Sequence, residues 1–139
     1  MHFSAVNHHL ILMLQRYLNE NVIDKGYKVL LNPESFSLSL PEEGRIEIKP
    51  AMAVIDLQTE EPVLIADLDL QACGRQEYFT EKIQQYAKSR LKEHWLFYTK
   101  DHIIVVRKRE GDVFSKPVIF EEAELLRRGG LFPSFDPSI

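Results

Sequence analysis

Two aspartates, Asp67 and Asp69, stand two residues apart in the otherwise apolar run from Val63 to Gln71. Lys82 lies at the edge of the apolar stripe of the helix-period segment that follows. On a strand, residues i and i+2 share a face, so both carboxylates point the same way out of a run that reads as buried. Buried acids on one side are costly unless a metal, a cation or a shared proton compensates them. The set therefore reads as a candidate metal-dependent catalytic site, with Asp67 and Asp69 as metal ligands. Lys82 is expected within ion-pair reach of one of them.

Other chemically suggestive residues carry less. Cys73 is the single cysteine; with neither a nearby histidine nor an activating motif it reads as a small buried thiol rather than a nucleophile. His8 and His9 open the first helix-period segment, where a histidine is commonly a surface or capping residue. Trp95 beside His94 could stack a base, but within the apolar stretch Trp95 to Tyr98 it reads as core.

The elements that must position these residues follow from periodicity. A first helix carries Leu10, Ile11, Leu14, Tyr17 and Leu18 at helical spacing, capped by Asn7 or Ser4 and stopped at Gly26. Strands are expected over Tyr27 to Leu31 and Ser35 to Leu40, then a turn from Pro41 to Gly44 and a strand reading from Arg45 to Asp56. After the Val63 to Gln71 strand and a loop around Gly74, a helix is expected from about Glu77 to Lys92, with Phe79, Ile83, Tyr86, Ala87 and Arg90 near one stripe. Lys82 lies about 60° from the centre of that stripe, where a side chain can leave the packed seam. A hairpin joins His94–Tyr98 to Ile103–Arg109, Val113 to Phe120 adds an edge strand, and the tail reads as a closing loop. The pattern is α/β: a central mixed sheet flanked by helices in one domain over residues 1–139.

At 139 residues, 45% hydrophobic and 27% charged, the chain is long enough for a sizeable core. Its apolar runs are too short to span a bilayer, and the N-terminus has no basic segment followed by a long apolar one. With one cysteine there is no disulfide framework, so a cytoplasmic setting is expected. The net charge of −4 argues against a surface that attracts nucleic acid everywhere, yet the charge is uneven. Residues 1–69 carry 5 Lys/Arg against 11 Asp/Glu, whereas Arg75 to Arg109 carry 9 against 4. DNA contact is therefore expected through the Arg75–Arg109 segment, set against the simpler reading of Lys88, Arg90, Lys92 and Arg107 to Arg109 as solvated faces. A homodimer with the Ile103 to Val106 strand as seam is a further expectation.

The order of these pieces resembles the Uma-type restriction-endonuclease family, a branch of the PD-(D/E)XK nuclease superfamily. The resemblance runs through His8, Arg45 to Pro50 as the approach to the family's Pro-Asp strand, and Lys82 with Tyr86 as its Lys-x-x-x-Tyr. It continues through Lys92 to Leu96, similar to Pro-Glu-Tyr-Trp-Leu, and closes with Leu131 to Phe135. It implies a restriction-endonuclease-like fold in which an acid after the proline and a glutamate on the next strand hold Mg²⁺, while the helix lysine serves the attacking water.

Carried onto this chain, the resemblance keeps Lys82 but finds Ala51 where the first acid belongs. A gapless count back from Lys82 lands on Leu68, between Asp67 and Asp69. Glu47 shares strand parity with position 51 but lies about 13 Å along an extended chain, and Asp56 has the opposite parity, so neither replaces the missing ligand. Two functions remain: a catalytically impaired nuclease-like module that binds nucleic acid or a protein, and an active Mg²⁺-dependent DNA endonuclease.

Overall fold

The computed structural model describes residues 12, 15–16, 19–20, 25–31, 36–42, 44–69, 76–98 and 101–121, with the backbone alone at 69 and 76–80. Nine strands and one helix have defined bounds among them: β1 (Tyr27–Leu31), β2 (Phe36–Leu40), β3 (Gly44–Ile48), β4 (Met52–Asp56), β5 (Pro62–Asp69), α1 (Gln76–Lys88), β6 (Glu93–Tyr98), β7 (Ile103–Glu110), β8 (Val113–Phe114) and β9 (Val118–Glu121). Of the expected first helix only Leu12, Gln15, Arg16, Asn19 and Glu20 are described, and these are helical. His8, His9, Cys73 and the tail fall outside the described residues. The mixed sheet is as expected, but with one delimited helix the described residues do not show a sheet flanked by helices.

The main sheet runs β1-β4-β5-β6-β7-β8, with β9 also on β7. Only β5 and β6 are parallel, from Leu64 beside Glu93 to Asp69 beside Tyr98, and the other pairs are antiparallel. A parallel pair needs a long crossover, and α1 supplies it. The stretch from Arg45 to Asp56, expected as one strand, is two: β3 pairs β2 in a separate two-stranded sheet, and β4 joins the main one. Pro50 lies at the break, where it withholds a ladder donor.

Two apolar clusters separate by strand parity. Leu64 and Ala66 face Met52, Val54, Trp95, Phe97, Ile104 and Val106. Ile65 packs instead with Tyr86, Leu91 and the hairpin residues Leu38, Leu40 and Ile48. Trp95 is fully buried, as its sequence context implies. The Ile103 to Val106 stretch is no dimer seam, because β6 pairs one of its edges and β9 the other.

The helix expected to reach Lys92 stops at Lys88. Ser89 ends it: the Ser89 hydroxyl donates to the Tyr86 carbonyl at 2.6 Å, and the Leu91 N–H donates to Ser89 Oγ at 3.1 Å. Carbonyls of the last turn and just beyond it are gathered by Arg109 from β7. Its Nη2 donates to Tyr86, Ala87 and Ser89 at 3.1, 2.9 and 2.8 Å, and its Nε to Leu91 at 2.6 Å. The Arg109 guanidinium also lies over the Phe114 ring, 5.2 Å from its centroid. Orphan carbonyls and the negative end of a helix both favour a cation here. Arg109→Ala leaves several carbonyls without this donor and should lower unfolding stability by roughly 2–3 kcal/mol in urea. Arg109→Lys should restore less than half of that, because one ammonium cannot reproduce the planar fork. A lysine variant as stable as the wild type would show that charge alone suffices.

Candidate functional site

Asp67 is the centre of the site. It projects from β5 toward α1 and is buried, with 11% of its side chain exposed. Its Oδ2 accepts the Tyr86 hydroxyl at 3.0 Å and lies 2.9 Å from His94 Nε2. Tyr86 and His94 are themselves buried, and their rings meet at 4.8 Å with a 47° tilt. The parallel register brings His94 there, since it pairs with Ile65, two residues from Asp67 on the same face. One carboxylate thus links a strand, the crossover helix and the next strand. With Nε2–H directed at Asp67, Nδ1 is left without a partner in the fully buried ring, at a cost of roughly 1–3 kcal/mol.

Asp69 ends β5 with the same strand parity as Asp67, and its side chain lies outside the described residues. Lys82, one helical turn before Tyr86, lines a shallow recess of about 230 Å³ with Ile46, Glu47, Glu81 and Gln85. Ala51 is buried just before β4, and its N–H donates to the Ala66 carbonyl at 2.9 Å. The position that resembles a metal-ligand site is thus beside Asp67 and carries only a methyl group.

Mg²⁺ requires a near-octahedral set of oxygens. Among the described residues no three His, Cys, Asp or Glu side chains converge to hold a metal. Asp67 already commits one oxygen to Tyr86 and His94. The residues described do not fit the ion.

Within the basic segment, the Arg107 to Arg109 run is largely spent on structure. Arg109 caps α1, Arg107 is half-buried on β7, and Lys108 lies 3.7 Å from Glu93. Burial lowers the pKa of both Arg107 and Arg109 from the usual arginine range. Lys88, Arg90 and Lys92 instead line a groove of about 560 Å³ at the C-terminal end of α1.

Sequence reasoning missed the roles of Tyr86 and His94. Each left a trace: Tyr86 puts a polar tip on an apolar stripe, and His94 interrupts an apolar strand, where a buried polar group demands a partner.

On the opposite face, Glu93 is also buried. Its Oε2 accepts the indole N–H of Trp95 at 2.5 Å.

No family model and no curated protein matches the sequence. Among solved structures, the fold is similar to that of "a putative nuclease belonging to DUF820" from Anabaena variabilis ATCC 29413. The two share 12% identity over 85% of this chain and 68% of that one, with a TM-score of 0.60. The type IIG restriction endonuclease BpuSI matches at 14% identity over 86% of this chain and 15% of that one, TM-score 0.49. A chain of the DrdV-DNA complex matches at 10% over 87% and 11%, TM-score 0.47. The chain has a nuclease-like fold.

Glu93 gives this region a pH signature. Burial raises its pKa above the usual carboxylate range, opposed by the Trp95 N–H and Lys108. The folded state then holds a proton where the unfolded chain has lost it, so this stabilisation is complete below the ordinary carboxylate pKa and is lost as pH rises through the raised value. Glu93→Gln keeps an oxygen for Trp95 and removes the titration. Its urea midpoint, followed by emission of the single tryptophan, should gain on the wild type between pH 4 and pH 7; parallel midpoints would refute this.

Proposed function

We propose that this chain is a nuclease-like domain of the Uma type, one unit over residues 1–139, that binds nucleic acid and is impaired in metal-dependent cleavage. The observation that carries the impairment is the commitment of Asp67 Oδ2 to Tyr86 and His94 beside Ala51. Asp67, Asp69 and Lys82 are read as the remnant of the family's catalytic set. Asp67 is read as the residue at the glutamate position, a reading supported by the Ala51 N–H bond to the neighbouring Ala66 carbonyl. The nuclease-like fold supports the reading at its coarsest level, and the groove lined by Lys88, Arg90 and Lys92, in which cations outnumber the acids Glu42 and Asp112, offers phosphate a net positive surface.

The purified chain should bind oligonucleotides with an affinity that falls steeply as salt rises, and Lys88→Gln with Arg90→Gln should flatten that dependence by about two phosphate contacts. It should cleave DNA negligibly with Mg²⁺ or Mn²⁺. Ala51→Asp should raise Mn²⁺ affinity measurably by titration calorimetry, since it returns an oxygen ligand and a negative charge. Robust metal-dependent cleavage by the wild type, abolished by Asp69→Asn or Lys82→Ala, would establish the active endonuclease instead.

A further inference from the structure

The groove at the C-terminal end of α1 is lined in part by two turns, with Pro41 and Glu42 between β2 and β3 and Gly111 and Asp112 between β7 and β8. The Lys92 N–H donates to the Val63 carbonyl at 3.1 Å, which places the groove at the start of β5. Asp69 ends that strand, roughly 20 Å farther along an extended chain. An occupant of the groove is therefore held well apart from Asp69.

The cations and the acids of the groove need different partners. Arg109 directs Nε and Nη2 at four carbonyls. Its Nη1 makes one long bond, 3.5 Å to the Gly111 carbonyl, so one N–H of the guanidinium stays uncommitted in a side chain whose plane is already fixed. Arg90 is exposed, with no carboxylate in ion-pair distance among the described residues. With the charge of Lys88 and Lys92 added, these donors suit phosphate oxygens. Glu42 and Asp112 are exposed acids, likewise without an ion pair among the described residues. They repel phosphate, and the DNA backbone has no donor to give them. The bases do, chiefly through the exocyclic amino groups of cytosine, adenine and guanine.

A duplex enters a concavity with its phosphate ridge first, because its base edges lie inside its own grooves. An unpaired strand brings phosphates and bases to the same place, and Leu40 and Ala87 give a splayed base an apolar surface. The volume of about 560 Å³ is that of a small-ligand site. We infer, resting on the nucleic-acid binding proposed above, that this groove holds an unpaired DNA segment, its phosphates toward Arg109 and Arg90 and its base amino groups toward Glu42 and Asp112. The substrate class is then single strands rich in amino-bearing bases, bound away from Asp69.

Fluorescence anisotropy of the full chain with labelled oligo-dC, oligo-dT and a blunt DNA duplex of equal length, at one salt concentration and neutral pH, provides the test. Oligo-dC should bind at least about tenfold more tightly than the duplex. It should also exceed oligo-dT by at least about fivefold, the worth of one modest base contact, because thymine offers the acids no amino group. Glu42→Ala with Asp112→Ala should strengthen oligo-dT binding by removing repulsion, and should erase the preference for oligo-dC. A duplex bound as tightly as oligo-dC, equal binding of the two single strands, or a preference that survives the double variant each overturns the assignment. If the double variant loses the native emission of Trp95, the comparison on the unaltered chain decides. Salt-sensitive duplex binding with no preference for single strands overturns this assignment alone and leaves nucleic-acid binding standing; no binding of any oligonucleotide overturns both.

Discussion

A carboxylate taken out of water has to be met by donors, and Asp67 is met by two from different elements. Tyr86 arrives from the crossover helix and His94 from the neighbouring parallel strand, so one oxygen fixes three parts of the chain relative to each other. Removing one partner of such a network is expensive because the charge stays behind. That constraint makes β5, α1 and β6 a single unit with Asp67 as its joint.

The other sequestered charges obey the same rule. Arg109 is drawn inward by the carbonyls at the end of α1, and Glu93 is held by an indole N–H with Lys108 at the margin. The Arg109 bonds and the Lys108–Glu93 pair join β7 to distant parts of the chain, so charge helps to set the register of the sheet, whereas the Trp95–Glu93 bond stays within β6. A basic run such as Arg107 to Arg109 consequently says little about the surface: one of its members is a helix cap, one flanks a buried acid, and one is half-buried.

Much of the architecture was legible from periodicity. The strand parity of Asp67, the helix bearing Tyr86, the burial of Trp95 and the β6–β7 hairpin follow from alternation and spacing. What escaped depends on pairings distant in sequence. The break at Pro50 was visible as a residue but not as a change of sheet. Ile103 to Val106 read as a free edge because nothing local reveals that β9 covers it. The meeting of His94 with Asp67 requires the parallel register, which no local pattern encodes. The end of α1 at Lys88 was obscured because Ser89 and Arg109 overrule a stripe that continues to Arg90.

The β2–β3 hairpin forms a sheet of its own and contributes Leu38, Leu40 and Ile48 to the cluster around Ile65, Tyr86 and Leu91. A two-stranded ribbon is at best marginally stable alone, so its order is borrowed from that apolar seam. Its departure would admit water beside Tyr86 and raise the local dielectric around the Asp67 hydrogen bonds, weakening them. The strength of the buried polar junction is therefore tied to a sub-global opening of the least self-sufficient part of the fold, and solvent exchange at the Tyr86 hydroxyl reports the same event as exchange at the hairpin amides.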